Sequence, residues 1–160
     1  MIRLTPEPFD AADELKAFEK TTGDAGAIVS FTGLVRAQSA DGPVRTLHLQ
    51  AYSPMTENGI AATVQAARER WPLSGVRIVH RTGDMAPGDA IVFVATASAH
   101  RRAAFEAADF LMDYLKTEAV FWKKETSASG TKWIEPRPED YQDSARWDTR
   151  EEEQTADARD

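Results

Sequence analysis

Residues 90–124 constrain the fold more than any other part of this sequence, because they join a predicted strand, an amphipathic helix and a second strand. The apolar run Ala90–Ala95 predicts a buried strand. Ser98 is a natural N-cap for a helix that starts at Ala99. Val120 to Thr126 is typical of a strand. Apolar residues recur at helical spacing on one face of the helix and predict the side that it buries: Phe105, Ala108, Met112 and Leu115. The opposite side, with Glu106, Asp109 and Asp113, is predicted to face solvent.

The start of this helix carries an unusual group of cations, His100, Arg101 and Arg102. Unpaired backbone N–H groups and the helix dipole make a first turn positive, so added cations there cost a few tenths of a kcal/mol each. An anionic ligand reverses that sign, and the pattern therefore indicates a phosphate or carboxylate site. The alternative is that Arg102 pairs with Glu106 one turn later, while the other cations are solvated.

The far end of the same helix carries lysines. Lys116 falls in the last turn, where most lysines only stabilise the helix dipole. In the following strand, alternation places Phe121 and Lys123 on one face and Trp122 and Lys124 on the other. A lysine that is partly desolvated near other cations has a lowered pKa, which suits acid or base catalysis near neutral pH.

Length and composition exclude several classes of function. A chain of 160 residues fits one domain, and its net charge of -7 with no broad basic face argues against a nucleic-acid partner. The absence of cysteine removes disulfides, thiolate metal sites and a cysteine nucleophile. His48, His80 and His100 lack metal-site spacing, and the first two fit structural strand roles. We expect no metal, no resident cofactor, no membrane partner and a cytoplasmic location.

The remaining elements alternate between strands and helices. A helix is predicted to open with Ser53 as its capping residue and Pro54 at its first position. The turn Ala86–Asp89 joins two strands that we expect to pair antiparallel. A hairpin is predicted around Ser127–Gly130. Residues 148–160 hold six acidic residues against two arginines and no large apolar side chain, so we predict a domain of residues 1–147 and a disordered acidic tail of residues 148–160.

Seven short blocks, in order along residues 4–147, closely resemble the catalytic large subunit of molybdopterin synthase. Each block is weak alone, and together they are specific. They are Phe31-Thr32-Gly33-x-Val35-Arg36, Glu69–Leu73, Pro87-Gly88-Asp89, Ser98–Arg101, Phe105-Glu106-Ala107, Met112–Thr117 and Phe121–Glu125.

The resemblance implies an α+β fold: a single domain with mixed and antiparallel sheets, a β-hammerhead element, and helices packed on the sheet. It also implies a sulfurtransferase that converts cyclic pyranopterin monophosphate into molybdopterin. The expected assembly is a central homodimer with a ubiquitin-like small subunit at each end, forming a heterotetramer. The thiocarboxylate on the small subunit's C-terminal Gly-Gly donates the sulfur, which agrees with the absence of cysteine in this chain.

By the same resemblance, Lys116 and Lys123 are the catalytic pair, and Arg137 is a weaker candidate for an anion contact, across the dimer. Leu34 stands where some members carry a basic residue, and Arg102 where relatives carry a small polar one. The residues expected to bind substrate are Leu34, Val35, Arg36, His100, Arg101, Lys116, Lys123, Lys124 and Glu125.

Two other functions remain open from the residues alone. One is a non-catalytic module that binds a ubiquitin-like tail and uses the lysines to receive a carboxylate. The other is a generic phosphate-binding domain, which leaves the motifs after the helix start unexplained. Turnover distinguishes an enzyme from the non-catalytic module, which would leave the substrate unchanged. A requirement for a protein partner distinguishes the enzyme from the generic phosphate-binding domain, which would bind anions without one.

Overall fold

The computed structural model describes the backbone of residues 1–157 and the side chains of residues 1–148. The described helices are α1 Ala11–Glu19, α2 Met55–Arg70, α3 Arg101–Thr117 and α4 Pro138–Asp157. The strands are β1 Ile2–Thr5, β2 Ala27–Leu34, β3 Gln38–Ser39, β4 Gly42–Ala51, β5 Leu73–Arg81, β6 Gly83–Met85, β7 Ala90–Ser98, β8 Phe121–Ser127 and β9 Gly130–Ile134.

The first sheet has the strand order β1-β5-β7-β2 and is covered on both faces. Strand β1 runs parallel to β5, and the other pairs are antiparallel. In β5, Ile78 joins a core cluster with Ile60 of α2 and Leu111 of α3, while the next residue, Val79, packs with Phe18 of α1. Because successive strand residues point to opposite faces, α2 and α3 lie on one side of this sheet and α1 on the other.

The second sheet has the order β3-β4-β8-β9, and β6 also pairs with β4. Its core contains Val35, Val44, Leu49 and Met85. The β4–β8 register places Leu49 opposite Lys123. The predicted α+β class, the antiparallel pairing of β5 with β7 and the hairpin of β8 with β9 are confirmed.

Both predicted helix starts were slightly wrong. Helix α3 begins at Arg101 and not at Ala99, and His100 takes the N-cap position without a side-chain cap bond. Ser98 still belongs to β7, where it pairs with residues of β2 and β5, and its hydroxyl donates to the Pro72 carbonyl oxygen at 2.8 Å. Sheet pairing therefore holds Ser98 in extended conformation. Helix α2 begins at Met55, with Pro54 at its N-cap.

The predicted buried face of α3 was also partly wrong. Phe105 is 61% exposed, whereas Ala104, Ala107 and Leu111 are buried. Asp113, predicted to face solvent, accepts hydrogen bonds from Arg146 (2.8 Å) and from the Trp147 indole nitrogen (2.6 Å) of α4. Asp113 is engaged because α4, which the sequence pattern did not predict, packs on the polar side of α3.

Helix α4 runs across the predicted boundary between residues 147 and 148. Trp147 is buried against Trp71 and Phe110, with ring centroids 5.6 and 5.5 Å away. The side chains of residues 149–157 and the whole of residues 158–160 lie outside the described residues, so the proposed division of the chain stays a prediction. Within residues 1–157, no helix is long and apolar enough to cross a membrane.

Candidate active site

A cleft of about 480 Å³ lies where the end of β2, the C-terminal half of α3 and the start of β8 meet. Residues from both sheets line it, so it exists only when the two sheets are in place. The lining residues are Phe31, Thr32, Gly33, Leu34, Arg36, His80, Ile91, Val92, Met112, Leu115, Lys116, Lys123 and Arg137.

A glycine keeps the wall of this cleft open at the end of β2. A Cβ atom on Gly33 would lie 2.8 Å from Cγ1 of Val92 and 3.3 Å from the Phe31 ring, so a larger residue would force one of them to move. The β2–β7 register shifts directly after Gly33, between Gly33 and Leu34. Such irregularities turn the following residues away from the sheet. Leu34 and Arg36 then line the cleft.

The two predicted catalytic lysines meet in this cleft from different elements. Lys116 is in the last turn of α3 and Lys123 is the third residue of β8. Burial, together with the charge of Lys116, lowers the pKa of Lys123 to about 8, while Asp140 opposes the change. A lysine in this state exchanges its proton near neutral pH, as acid and base catalysis requires.

The charged side chains that line the cleft are all basic. They are Arg36, Lys116, Lys123 and Arg137, and among the described lining residues there is no carboxylate. Arg137, predicted to act across a dimer, belongs to the cleft of its own chain and also binds Asp140 at 2.9 Å. Hydrogen bonds from Arg137 lower the pKa of Asp140. The cleft is therefore suited to anionic ligands.

His80 is a cleft residue that sequence reasoning placed only in a structural role. Its ring stacks on Phe121 with centroids 4.1 Å apart, and its Nδ1 lies 2.9 Å from the Arg81 carbonyl oxygen. Burial and, to a smaller degree, the charges of Lys123 and Lys116 lower the pKa of His80 to about 4. The available signal was its position after Val76 and Ile78 on an apolar strand face.

His100 and Arg101 do not reach this cleft within one chain. They line a separate surface pocket of about 660 Å³, together with Gly26, Ala99, Arg102, Phe105 and Glu106. Arg102 lies 3.6 Å from Glu106, as the alternative interpretation of this segment predicted. A Cβ atom on Gly26 would collide with the Ala99 carbonyl oxygen, so glycine permits the residue just before β2 to lie close to the start of α3.

Three further predicted binding residues lie outside the cleft lining. The Val35 side chain is buried in the second core, and its backbone bonds to Asp89 and Gly88. Lys124 lies on the opposite face of β8, with its ammonium 5.4 Å from the centre of the Trp133 ring. Glu125 is part-buried, and one of its carboxylate oxygens has no hydrogen-bond partner among the described residues.

Metal coordination finds no support in the described part of the chain. No group of three or more His, Cys, Asp or Glu side chains there is placed to hold a metal ion.

Comparison with known proteins matches the chain to one family. The sequence model described as "MoaE protein" matches residues 4–118. Proteins named molybdopterin synthase catalytic subunit are 49% identical in Caulobacter vibrioides (92% of this chain and 97% of the relative) and 47% identical in Escherichia coli K12 (91% and 97%). The solved structure of a molybdopterin biosynthesis MoaE protein from Burkholderia ambifaria is 40% identical, covers 92% of this chain and 97% of its own, and has a TM-score of 0.77.

The family match reaches from β1 to the end of α3, which includes Lys116 and the central strands of the first sheet, β5 and β7. The relatives cover Lys123 as well, since their alignments include more than nine-tenths of the chain. This chain belongs to the MoaE protein family.

Proposed function

We propose that this chain is the catalytic subunit of a molybdopterin synthase, a sulfurtransferase that converts cyclic pyranopterin monophosphate into molybdopterin. The observation that carries the proposal is the meeting of Lys116 and Lys123 in one basic cleft, in a chain closely similar to proteins named for that activity. A cytoplasmic location belongs to the same proposal.

The charge of the cleft fits both reactants that this reaction needs. The substrate carries a phosphate, and the sulfur donor is the C-terminal thiocarboxylate of a ubiquitin-like small subunit. Both are anions, and the described charged residues of the lining are all cations. An external donor is also required because the chain contains no cysteine. The small subunit is therefore the proposed partner, bound with its Gly-Gly end in the cleft.

The two lysines suit different needs of the reaction. Sulfur addition places negative charge on the substrate, and departure of oxygen requires a proton. Lys116, an exposed residue of the cleft lining, supplies a positive charge that stabilises such an anion. Lys123, whose pKa is lowered to about 8 by burial and by Lys116, can both give and take a proton near neutral pH. Arg36 and Arg137 are placed to hold the phosphate.

A second copy of the chain accounts for His100 and Arg101. The resemblance assigns these residues to substrate binding, yet within one chain they occupy a pocket separate from the lysine cleft. We propose that the homodimer brings the His100-Arg101 pocket of one copy to the cleft of the other. Leu34, at the cleft rim and 55% exposed, is free to contact the ligand there.

The deciding experiment measures molybdopterin formation from cyclic pyranopterin monophosphate and thiocarboxylated small subunit, with and without this chain. The wild-type chain should form product and Lys116→Ala should not. Lys132→Ala is the matched control, because Lys132 is an exposed lysine of β9 that pairs with Asp41 outside the cleft. Binding of the small subunit without product would favour the non-catalytic module instead.

Mixing Lys116→Ala and His100→Ala chains, at a substrate concentration at which each variant alone turns over slowly, tests the shared site. In the proposed dimer, each cleft combines Lys116 of one chain with His100 of the other. A mixed dimer of Lys116→Ala and His100→Ala chains therefore has one cleft with both residues intact and one cleft with neither. Random exchange of equal amounts should therefore restore about a quarter of the wild-type rate. Failure to recover activity, with exchange confirmed by native mass spectrometry, would place His100 outside the partner's cleft.

A further inference from the structure

His80 is a buried polar side chain to which no catalytic role has been given. Only 3% of its surface is exposed, yet it is part of the cleft lining beside Lys116 and Lys123. It comes from β5 of the first sheet, whereas Phe121, on which it stacks, comes from β8 of the second. The histidine therefore sits at the junction of the two sheets, at the base of the cleft.

Its hydrogen bond fixes which ring nitrogen carries the proton. A carbonyl oxygen only accepts, so the 2.9 Å contact with Arg81 requires Nδ1 to donate. Burial lowers the pKa of His80 to about 4, and at neutral pH the ring is uncharged. Nε2 is then an unprotonated acceptor. Among the described residues, no group forms a hydrogen bond with it.

The stack and the hydrogen bond also hold the ring still. The planes of His80 and Phe121 are 19° apart at a centroid separation of 4.1 Å, which covers one face of the imidazole. With Nδ1 engaged by its neighbour's carbonyl, Nε2 is the polar atom that remains for the cleft. A preorganised acceptor of this kind needs no reordering when a ligand binds.

The rest of the cleft makes such an acceptor useful. Its charged side chains, Arg36, Lys116, Lys123 and Arg137, are donors that suit the anionic parts of a ligand. A pterin also has N–H groups, which need acceptors when they are buried. Among the described lining side chains, and with the lysines protonated, the nitrogen and oxygen atoms able to accept are the His80 ring nitrogen and the Thr32 hydroxyl.

We propose that His80 is a further substrate-binding residue, which accepts a hydrogen bond through Nε2 from an N–H or O–H group of the bound pterin. This inference rests on the proposed function, because the pterin is the substrate of that reaction. In this proposal, His80 at the base of the cleft recognises a hydrogen-bond donor of the pterin, while the basic residues recognise the phosphate and the thiocarboxylate.

Two substitutions separate this role from a structural one. In His80→Asn, the amide nitrogen takes the place of Nδ1 and can keep the bond to Arg81, but no acceptor remains at the Nε2 position. In His80→Gln, the longer side chain carries its amide to the Nε2 position and restores an acceptor there. A purely structural histidine would be replaced better by asparagine, and a binding histidine better by glutamine.

The experiment measures binding of cyclic pyranopterin monophosphate by calorimetry and its KM in the complete reaction with the thiocarboxylated small subunit. We expect His80→Asn to weaken binding and raise KM about tenfold with kcat little changed, and His80→Gln to stay within about threefold of wild type. Thermal unfolding of each variant confirms that it is folded. Wild-type affinity in His80→Asn, or equal loss in both variants, would overturn the proposal.

An NMR measurement on the wild-type chain tests the same role of His80 without any substitution that could disturb the fold. The ¹⁵N resonance of Nε2 should have the shift of an unprotonated ring nitrogen, and it should move upfield when cyclic pyranopterin monophosphate is added. An unchanged resonance at saturating substrate would overturn the role of His80. Turnover by the wild-type chain without that change would leave the proposed function intact, whereas absence of substrate binding would overturn both.

Discussion

At its N-terminal end, α3 presents His100, Arg101 and Arg102 to an open surface pocket, whereas at its C-terminal end Lys116 faces a cleft that it shares with Lys123. Both ends are basic in sequence. At the first end Arg102 is 85% exposed in its side chain and lies 3.6 Å from Glu106, within its own helix. At the second end, burial together with the charge of Lys116 lowers the pKa of Lys123 to about 8.

The comparison shows that the chemical role of a cluster of cations depends on its surroundings and not on how many cations it contains. Exposed charges attract anions, although solvation and screening weaken that attraction. Desolvation changes proton affinity because it penalises the charged form. We therefore expect the N-terminal end of α3 to bind anions, and the C-terminal end to transfer protons as well.

The largest expected effect comes from removing the buried lysine. Lys123→Met should reduce molybdopterin formation by at least about a hundredfold, because the proton-exchanging group is lost. The same change should raise Tm by a few degrees at pH 7. The pKa of Lys123 falls from 10.5 to about 8 on folding, so its charge destabilises the fold fully below pH 8. That penalty disappears as the pH rises from about 8 to 10.5.

Lys132→Met is the matched control for this prediction, since Lys132 is an exposed lysine outside the cleft. It should leave both rate and Tm nearly unchanged. A Lys123→Met chain with a lower Tm than wild type would show that the lysine contributes net stability, and substantial remaining turnover would remove it from the mechanism.

The coupling between the two lysines gives the next largest effect. The positive charge of Lys116 helps to lower the pKa of Lys123, so Lys116→Gln should raise that pKa above about 8 by some tenths of a unit. Titration of the Lys123 side chain by NMR measures it directly and does not need an active enzyme. An unchanged or lower value would mean that the two ammonium groups are effectively screened from each other.

At the other end of α3, smaller losses are expected. Arg101→Ala should raise KM for cyclic pyranopterin monophosphate about tenfold, the usual consequence of losing one charged hydrogen bond. Arg102→Ala should stay within about twofold, since Arg102 already pairs with Glu106. Equal losses from both substitutions would show that this pocket acts through its general positive potential and not through particular contacts.

The smallest expected effect concerns the apolar side chain beside the N-terminal pocket. Phe105→Ser should change the free energy of unfolding by no more than about 0.5 kcal/mol, because Phe105 is 61% exposed. Leu111→Ala, at a buried position of the same helix, should cost about 2 to 5 kcal/mol. Urea denaturation compares them. Both variants are measured at a protein concentration at which the chain is monomeric, because the proposed homodimer places the pocket that Phe105 lines against a second copy. A large loss from Phe105→Ser under those conditions would contradict its exposure in the single chain.

Local patterns predicted much of this fold, because they depend on neighbours in sequence. Alternation in β5 and β8, the turn before β7 and the apolar stripe of α3 all follow from residue spacing. Residue spacing did not predict the start of α3 correctly, because pairing with two neighbouring strands keeps Ser98 in the sheet and away from the N-cap position that it favours. Asp113 was misplaced because α4 covers a face whose polarity suggested solvent.

The sequence by itself determined which residues carry charge, that no thiol is present, and which family pattern the chain follows. Only the tertiary structure decided which of those residues meet. Lys116 and Lys123 converge, and His80 joins them, because β8 pairs with β4 in a second sheet that closes over the end of α3. Desolvation depends on that long-range packing, so the lowered pKa values of Lys123 and His80 belong to the fold and not to the local sequence.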